Sequence, residues 1–160
     1  MNVKRLAILG STGSIGRNTL RVVESFPGRF CVHGLTAGDN LELLAEQVCR
    51  FRPRLVSIKE EANRETLRRR LIEGGLPASA MPEVLSGSAG MKAVASQPEV
   101  DVVVSATVGV AGLPATYEAV RLGKRIALAN KEVLVAAGEL VTRAAAESGA
   151  EILPVDSEHN

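Results

Sequence analysis

Apolar residues in this chain fall into short runs that alternate with stretches of helical spacing. Residues 3–9 (VKRLAIL) form a run that stops at Gly10, and after a Gly/Ser/Thr stretch apolar positions recur at helical intervals from about 15 to 26. Residues 30–36 (FCVHGLT) read as a second strand, 41–51 as an amphipathic helix, and 54–58 as a third strand introduced by Pro53. Residues 60–73 are strongly charged on one face and predict a helix closed at Gly74-Gly75, where a left-handed residue favours a stop. A loop over 76–82, a short strand over 83–86 and a helix over 89–96 follow. Residues 100–106 (VDVVVSA) have the near-continuous apolar character of a buried parallel strand. The pattern then predicts a helix over 113–122 ended by Gly123 and a strand over 125–129. An alanine-rich helix over 132–148 ended by Gly149 and a last strand over 151–155 complete it.

Strands that alternate with helices through short connections pair in parallel by right-handed crossovers, which puts helices on both faces of the sheet. The expected fold class is therefore α/β, a doubly wound, mainly parallel sheet. A length of 160 residues suits a single core, and no internal repeat or low-complexity linker interrupts it. The last residues, 154–160 (PVDSEHN), follow a strand with no helix to cover them, so a longer protein is expected.

Composition narrows the partners. Nineteen basic and eighteen acidic side chains leave a net charge of +1, which offers no electrostatic basis for binding nucleic acid or a membrane surface. An aromatic content of 2% and the absence of Trp ill suit base stacking. No run approaches the roughly 20 apolar residues that span a bilayer, and residues 1–9 lead straight into a strand, so the cytoplasm is the expected location. Cys31 and Cys49 show no CxxC spacing and read as reduced core cysteines.

The strongest chemical signal lies between the first strand and the first helix: Gly10-Ser11-Thr12-Gly13-Ser14-Ile15-Gly16. Gly10 permits a tight turn, Gly13 lets backbone approach a pyrophosphate, Gly16 lets helix and strand pack closely, and the helix N-terminus offers free amides to the phosphate. This makes the chain a Rossmann-like, nicotinamide-dinucleotide-binding domain. The GxxGxxG spacing occurs in several reductase families, so it names a ligand class and not a reaction. At the end of the second strand the chain reads Thr36-Ala37-Gly38-Asp39-Asn40. Asp39 could hold an adenine ribose hydroxyl or cap the helix starting near Leu41, and on residues alone NAD and NADP are not separated.

Two further groups sit at strand carboxyl ends, where open α/β sheets bind ligands. Asp156 and Glu158 alternate about Ser157, so in extended backbone both carboxylates face one side, as a Mg²⁺ or Mn²⁺ site would require. Taken alone, such a pair equally suits a solvated turn. Asn130-Lys131-Glu132 follows another strand, and Lys131 could hold an anionic substrate or simply face solvent beside an acidic helix start.

Together, residues 10–16 (GSTGSIG), 129–132 (ANKE) and 153–160 (LPVDSEHN) resemble the 1-deoxy-D-xylulose 5-phosphate reductoisomerase family over essentially the whole chain. The resemblance implies an NADPH-binding domain over 1–153 and the start of a catalytic, metal-binding domain over 154–160. It implies a metal-dependent rearrangement of the sugar phosphate to a branched aldehyde, then reduction by NADPH to 2-C-methyl-D-erythritol 4-phosphate in non-mevalonate isoprenoid biosynthesis. Thr12, Gly13, Ser14, Ile15, Gly38, Asp39, Asn40, Asn130 and Glu132 would then touch NADPH, with Gly10 and Gly16 shaping the cradle. Lys131, Ser157 and Glu158 would hold substrate. Asp156 and Glu158 would ligate Mg²⁺ or Mn²⁺, with Co²⁺ a further candidate, and the full-length protein would be a homodimer. Some members carry a basic residue where this chain has Asp39, a departure that weakens the electrostatic case for the 2′-phosphate.

Three alternatives compete. A semialdehyde dehydrogenase shares the cradle but needs a nucleophilic cysteine near a helix N-terminus or a base, which neither cysteine supplies. A short-chain dehydrogenase needs Tyr-x-x-x-Lys, and here Tyr117 is followed by Arg121. A non-catalytic nucleotide sensor explains the cradle but leaves the terminal carboxylates without a purpose.

Overall fold

In the computed structural model, which describes residues 2–155, the strands are β1 (Lys4–Leu9), β2 (Phe30–Thr36), β3 (Leu55–Ile58), β4 (Glu83–Ser86), β5 (Val102–Ser105), β6 (Arg125–Leu128) and β7 (Ile152–Pro154). They form one sheet in the order β4-β3-β2-β1-β5-β6-β7, with each neighbouring pair parallel. The helices are α1 (Ser14–Ser25), α2 (Leu41–Phe51), α3 (Arg64–Glu73), α4 (Gly87–Ser96), α5 (Leu113–Arg121) and α6 (Glu132–Ser148).

Alternation of side chains along each strand divides the core in two. Leu6, Ile8, Val32 and Val56 face a cluster with Leu20 and Val23 of α1, Leu44 and Val48 of α2, and Leu67 and Leu71 of α3. Ala7, Leu9, Val103, Ile126 and Leu128 face the opposite cluster, built with Val94 of α4, Ala119 and Val120 of α5, and Val133, Val141 and Ala144 of α6. Building proceeds outward from β1 to β4, then α4 crosses the other face and returns the chain to β5 beside β1. The order reverses between β1 and β5, which opens a crevice at their carboxyl ends.

The expected doubly wound fold is therefore observed, with local differences. The helix expected over 60–73 is split into a 3-10 turn, Glu61–Asn63, and α3. The Glu61 carboxylate accepts hydrogen bonds from Arg64 and from Ser86 at the end of β4, and this tightens the entry. The loop over 76–82 contains a second 3-10 turn, Ala78–Ala80. α6 is broken at Ala137 (φ −145°, ψ 27°), beside the poor helix former Gly138. The cysteines differ most: Cys31 is exposed near the outer start of β2, and Cys49 is only half-buried against the α1–α3 cluster. Strand membership alone does not bury a residue at a strand's frayed end.

β2 carries an irregularity that the sequence pattern hides. Leu6 pairs with Val32 but Ala7 with Gly34, so His33 is the additional residue of a bulge. The imidazole is buried, with Nε2 3.8 Å from Glu99. Desolvation pushes its pKa below the ordinary 6.5; Glu99 opposes the shift, while Arg54, Arg5 and Lys124 reinforce it. Nearby, Lys124 Nζ donates to the carbonyls of Gln97 (2.6 Å) and Val100 (2.8 Å), which fastens the α4–β5 connection to the start of β6.

Because the fold lowers the His33 pKa, the unfolded chain binds the extra proton first. His33 thus disfavours the folded state progressively as pH falls below about 6.5, and its neutral form is fully accommodated above that value. Urea unfolding followed from pH 8 to pH 5 is expected to show a smaller loss of stability in His33→Gln than in the parent; equal pH slopes would contradict this account.

Candidate functional site

β1 ends at Leu9, and the chain turns at Gly10 with φ +83°. The turn hangs on the end of β2: the Gly10 N–H donates to Thr36 O (3.1 Å) and Thr36 Oγ1 (3.0 Å), and the Ser11 N–H donates to Thr36 O (2.8 Å). A Cβ on Gly10 would lie 2.7 Å from Ala106 O. A Cβ on Gly16 would collide with Gly10 O and lie 2.6 Å from Ser11 Cα, backbone that cannot move aside. The fold itself requires these two glycines. Gly13 differs: its backbone is extended (φ −75°, ψ 175°), and a Cβ there would meet only Gly10 O at 3.6 Å, an ordinary contact.

Gly13 is the N-cap of α1, and no side chain caps the helix or places a carboxylate in its first turn. The first amides of an α-helix have no intrahelical acceptor and carry a partial positive charge, so this end is open to an anion. The turn is locked from behind by a buried reciprocal pair. Ser11 Oγ donates to Gln47 Oε1 (2.7 Å), and Gln47 Nε2 donates to Ser11 O (2.9 Å).

In front of the turn lies a cavity of about 780 Å³ that runs along the carboxyl ends of β1 to β5. Its wall includes Gly10, Thr12, Gly13, Gly38 and Asp39, five of the residues expected from the sequence. It also includes Ser57 near the end of β3 and Lys59 just past it, Ser88 and Met91 of α4, and Thr107, Val108 and Val110 after β5, which the sequence pattern does not single out. Val108 is 91% exposed, an apolar side chain left in solvent at the cavity mouth. These residues lie at or beyond strand carboxyl ends, so that rule applied to every strand points to them.

Asp39 is not the helix cap considered above. Asn40 is: its Oδ1 accepts from the Leu43 N–H (3.1 Å). Asp39 instead stands exposed on the cavity wall with its Oδ2 3.4 Å from Lys59 Nζ. Ser14, Ile15 and Gly16 form the first turn of α1 beside the wall. Asn130 is buried; its amide donates to Gly109 O, and its Oδ1 accepts from the Glu132 N–H (3.1 Å). It braces the loop after β5 against the start of α6, while Lys131 and Glu132 are exposed at that helix start. Asp156, Ser157 and Glu158 lie outside the described residues. Among the described residues no group of three His, Cys, Asp or Glu could hold a metal ion, and no helix is long and apolar enough to cross a membrane.

The rival chemistries find no support in this geometry. Neither Cys31 nor Cys49 lines the cavity. Tyr117 packs against the core, and Arg121 pairs with Glu118 on the same helix.

Comparison with known proteins identifies a family by sequence and by structure. The family model described as 1-deoxy-D-xylulose 5-phosphate reductoisomerase matches residues 6–138. The protein of that name from Solibacter usitatus is 55% identical over 158 residues, covering 99% of this chain and 40% of its own length. This chain thus spans about 40% of the length of the curated relatives it matches. A crystal structure of DOX-P reductoisomerase in complex with NADPH, fosmidomycin and magnesium superposes with a TM-score of 0.89 at 42% identity, over 97% of this chain and 37% of that one. The Zymomonas mobilis enzyme in complex with NADPH gives 0.88 at 37% identity, over 99% of this chain and 40% of its own.

The contrast among the glycines predicts different costs. Gly16→Ala is expected to destabilise the chain by roughly 1–3 kcal/mol or more through backbone overlap. Gly13→Ala should cost less, about 0.5–1 kcal/mol, the difference between glycine and alanine at a helix N-cap with no backbone overlap added. Chemical denaturation of both variants decides the matter; an equal loss would show that the fold needs Gly13 as well.

Proposed function

This chain belongs to the 1-deoxy-D-xylulose 5-phosphate reductoisomerase family, and we propose that it is the NADPH-binding part of such an enzyme. The observation that carries the reading is Gly13: the fold has room for a side chain there, so its bare backbone is best explained by a ligand on the open side. The uncapped start of α1 fits the same ligand, because its free amides face the position a pyrophosphate would take. Thr12, Ser14 and Ile15 would then donate to phosphate, and Gly38, Asp39 and Asn40 would border the adenosine. Asn130 and Glu132 would border the nicotinamide end, where Asn130 shapes the loop after β5.

When bound, NADPH supplies a hydride, and a divalent cation supplies charge stabilisation at two substrate oxygens. Asp156 and Glu158 would hold that cation, since paired carboxylates suit a hard ion such as Mg²⁺ or Mn²⁺. Lys131, Ser157 and Glu158 would hold the sugar phosphate. The activity proposed for the whole protein is conversion of 1-deoxy-D-xylulose 5-phosphate to 2-C-methyl-D-erythritol 4-phosphate, by a homodimer. We place the domain boundary just after β7, whose last residue, Pro154, still pairs in the sheet. Because this chain spans about 40% of the length of its curated relatives, it is expected to bind cofactor without completing turnover.

Titration of the 160-residue chain with NADPH, read by fluorescence or calorimetry, should show saturable binding that Gly13→Ala weakens at least about tenfold. With 1-deoxy-D-xylulose 5-phosphate and Mn²⁺ added, no steady oxidation of NADPH is expected. Absence of NADPH binding overturns the cofactor reading, and sustained oxidation overturns the division of labour between this chain and a further domain.

A further inference from the structure

Resting on the reading that the crevice holds NADPH, we propose that Lys59 reads the adenosine 2′-phosphate and that its ion pair with Asp39 sets the choice between NADPH and NADH. The loop after β2, residues 36–40, contains no cation and carries the carboxylate of Asp39, which by itself repels a 2′-phosphate. A cation arrives from the neighbouring strand. β2 and β3 pair with Thr36 opposite Ser57, so the residues just past both strands emerge side by side. Lys59 Nζ lies 3.4 Å from Asp39 Oδ2.

Lys59 is the one cation among the described residues lining the cavity, and Asp39 is the one anion. Both stand on the β2–β3 side of the glycine turn. With the pyrophosphate seated at the start of α1, this is the side on which the adenine ribose lies in a doubly wound sheet. Among the described residues neither side chain has a second ion pair. Asn40 has taken the cap of α2, and the Lys59 and Asp39 side chains are 58% and 78% exposed, free to exchange partners without unfolding anything.

Two states follow. With NADPH, the flexible ammonium leaves Asp39 for the doubly charged phosphate, a stronger charge-assisted contact, and still screens the carboxylate beside it. With NADH, the carboxylate accepts from the free ribose 2′-hydroxyl. The pair is thus a selector whose two charges favour opposite cofactors.

Binding of NADPH, NADH, 2′,5′-ADP and 5′-AMP to the chain tests this, since the last two differ only by the 2′-phosphate. Lys59→Met is expected to weaken NADPH and 2′,5′-ADP about tenfold or more. The same substitution should change NADH and 5′-AMP by less than about threefold. Asp39→Asn should shift the preference toward NADPH. Unfolding midpoints of both variants should match the parent, as expected for an exposed pair. A ratio of NADPH to NADH affinity that Lys59→Met leaves unmoved overturns the inference and leaves the cofactor reading intact. If the parent chain binds neither dinucleotide, the cofactor reading fails, and the inference fails with it.

Discussion

No side chain can stand between the start of α1 and the turn from which it springs. The Gly16 backbone rests directly on Gly10 and Ser11, and this close approach sets the angle at which α1 leaves the sheet. The remaining geometry follows from it. The turn is held by Thr36, which ties β1 to β2, and by Gln47, which ties it to α2. Breaking these bonds would leave buried donors or acceptors of the turn unpaired, each at a cost of about 1–3 kcal/mol. The anion-binding end of the helix is therefore positioned before any ligand arrives, and binding does not have to organise it.

The division between what the sequence reveals and what it conceals has a physical basis. Strand and helix periods depend on burial of alternate or third-and-fourth residues, so the seven strands and six helices among the described residues are legible from apolar spacing. Features that depend on partners remote in sequence are not. The bulge at His33 is a register shift of β2 against β1, and the break in α6 at Ala137 interrupts an alanine-rich stretch in which a single Gly138 is the only local sign of it. Cys31 looks like a core residue because it sits in an apolar run, yet the core begins one residue later at Val32.

The same distinction runs through the crevice. A glycine motif is local, so the cradle is readable from seven consecutive residues. The wall is assembled from the ends of five strands, and Lys59 meets Asp39 only because β2 and β3 lie side by side. Asn130 illustrates the opposite risk. It belongs to a recognisable short motif, but its polar groups are engaged by Gly109 and Glu132, so it serves as a brace for the loop after β5 and is not part of the cavity wall. Sequence motifs mark which positions matter, while hydrogen-bond partners reveal how they act.

The sheet that carries the crevice also separates two apolar clusters, one against α1 to α3 and the other against α4 to α6. A layer of backbone stands between them, and packed layers lie roughly 10 Å apart. At such separations the energetic effects of substitutions add with little coupling. Each half of the core can therefore accept exchanges of volume without a compensating change in the other. Sequence drift in a chain of this architecture can proceed as two nearly independent histories, joined at the strand ends where both halves line one crevice.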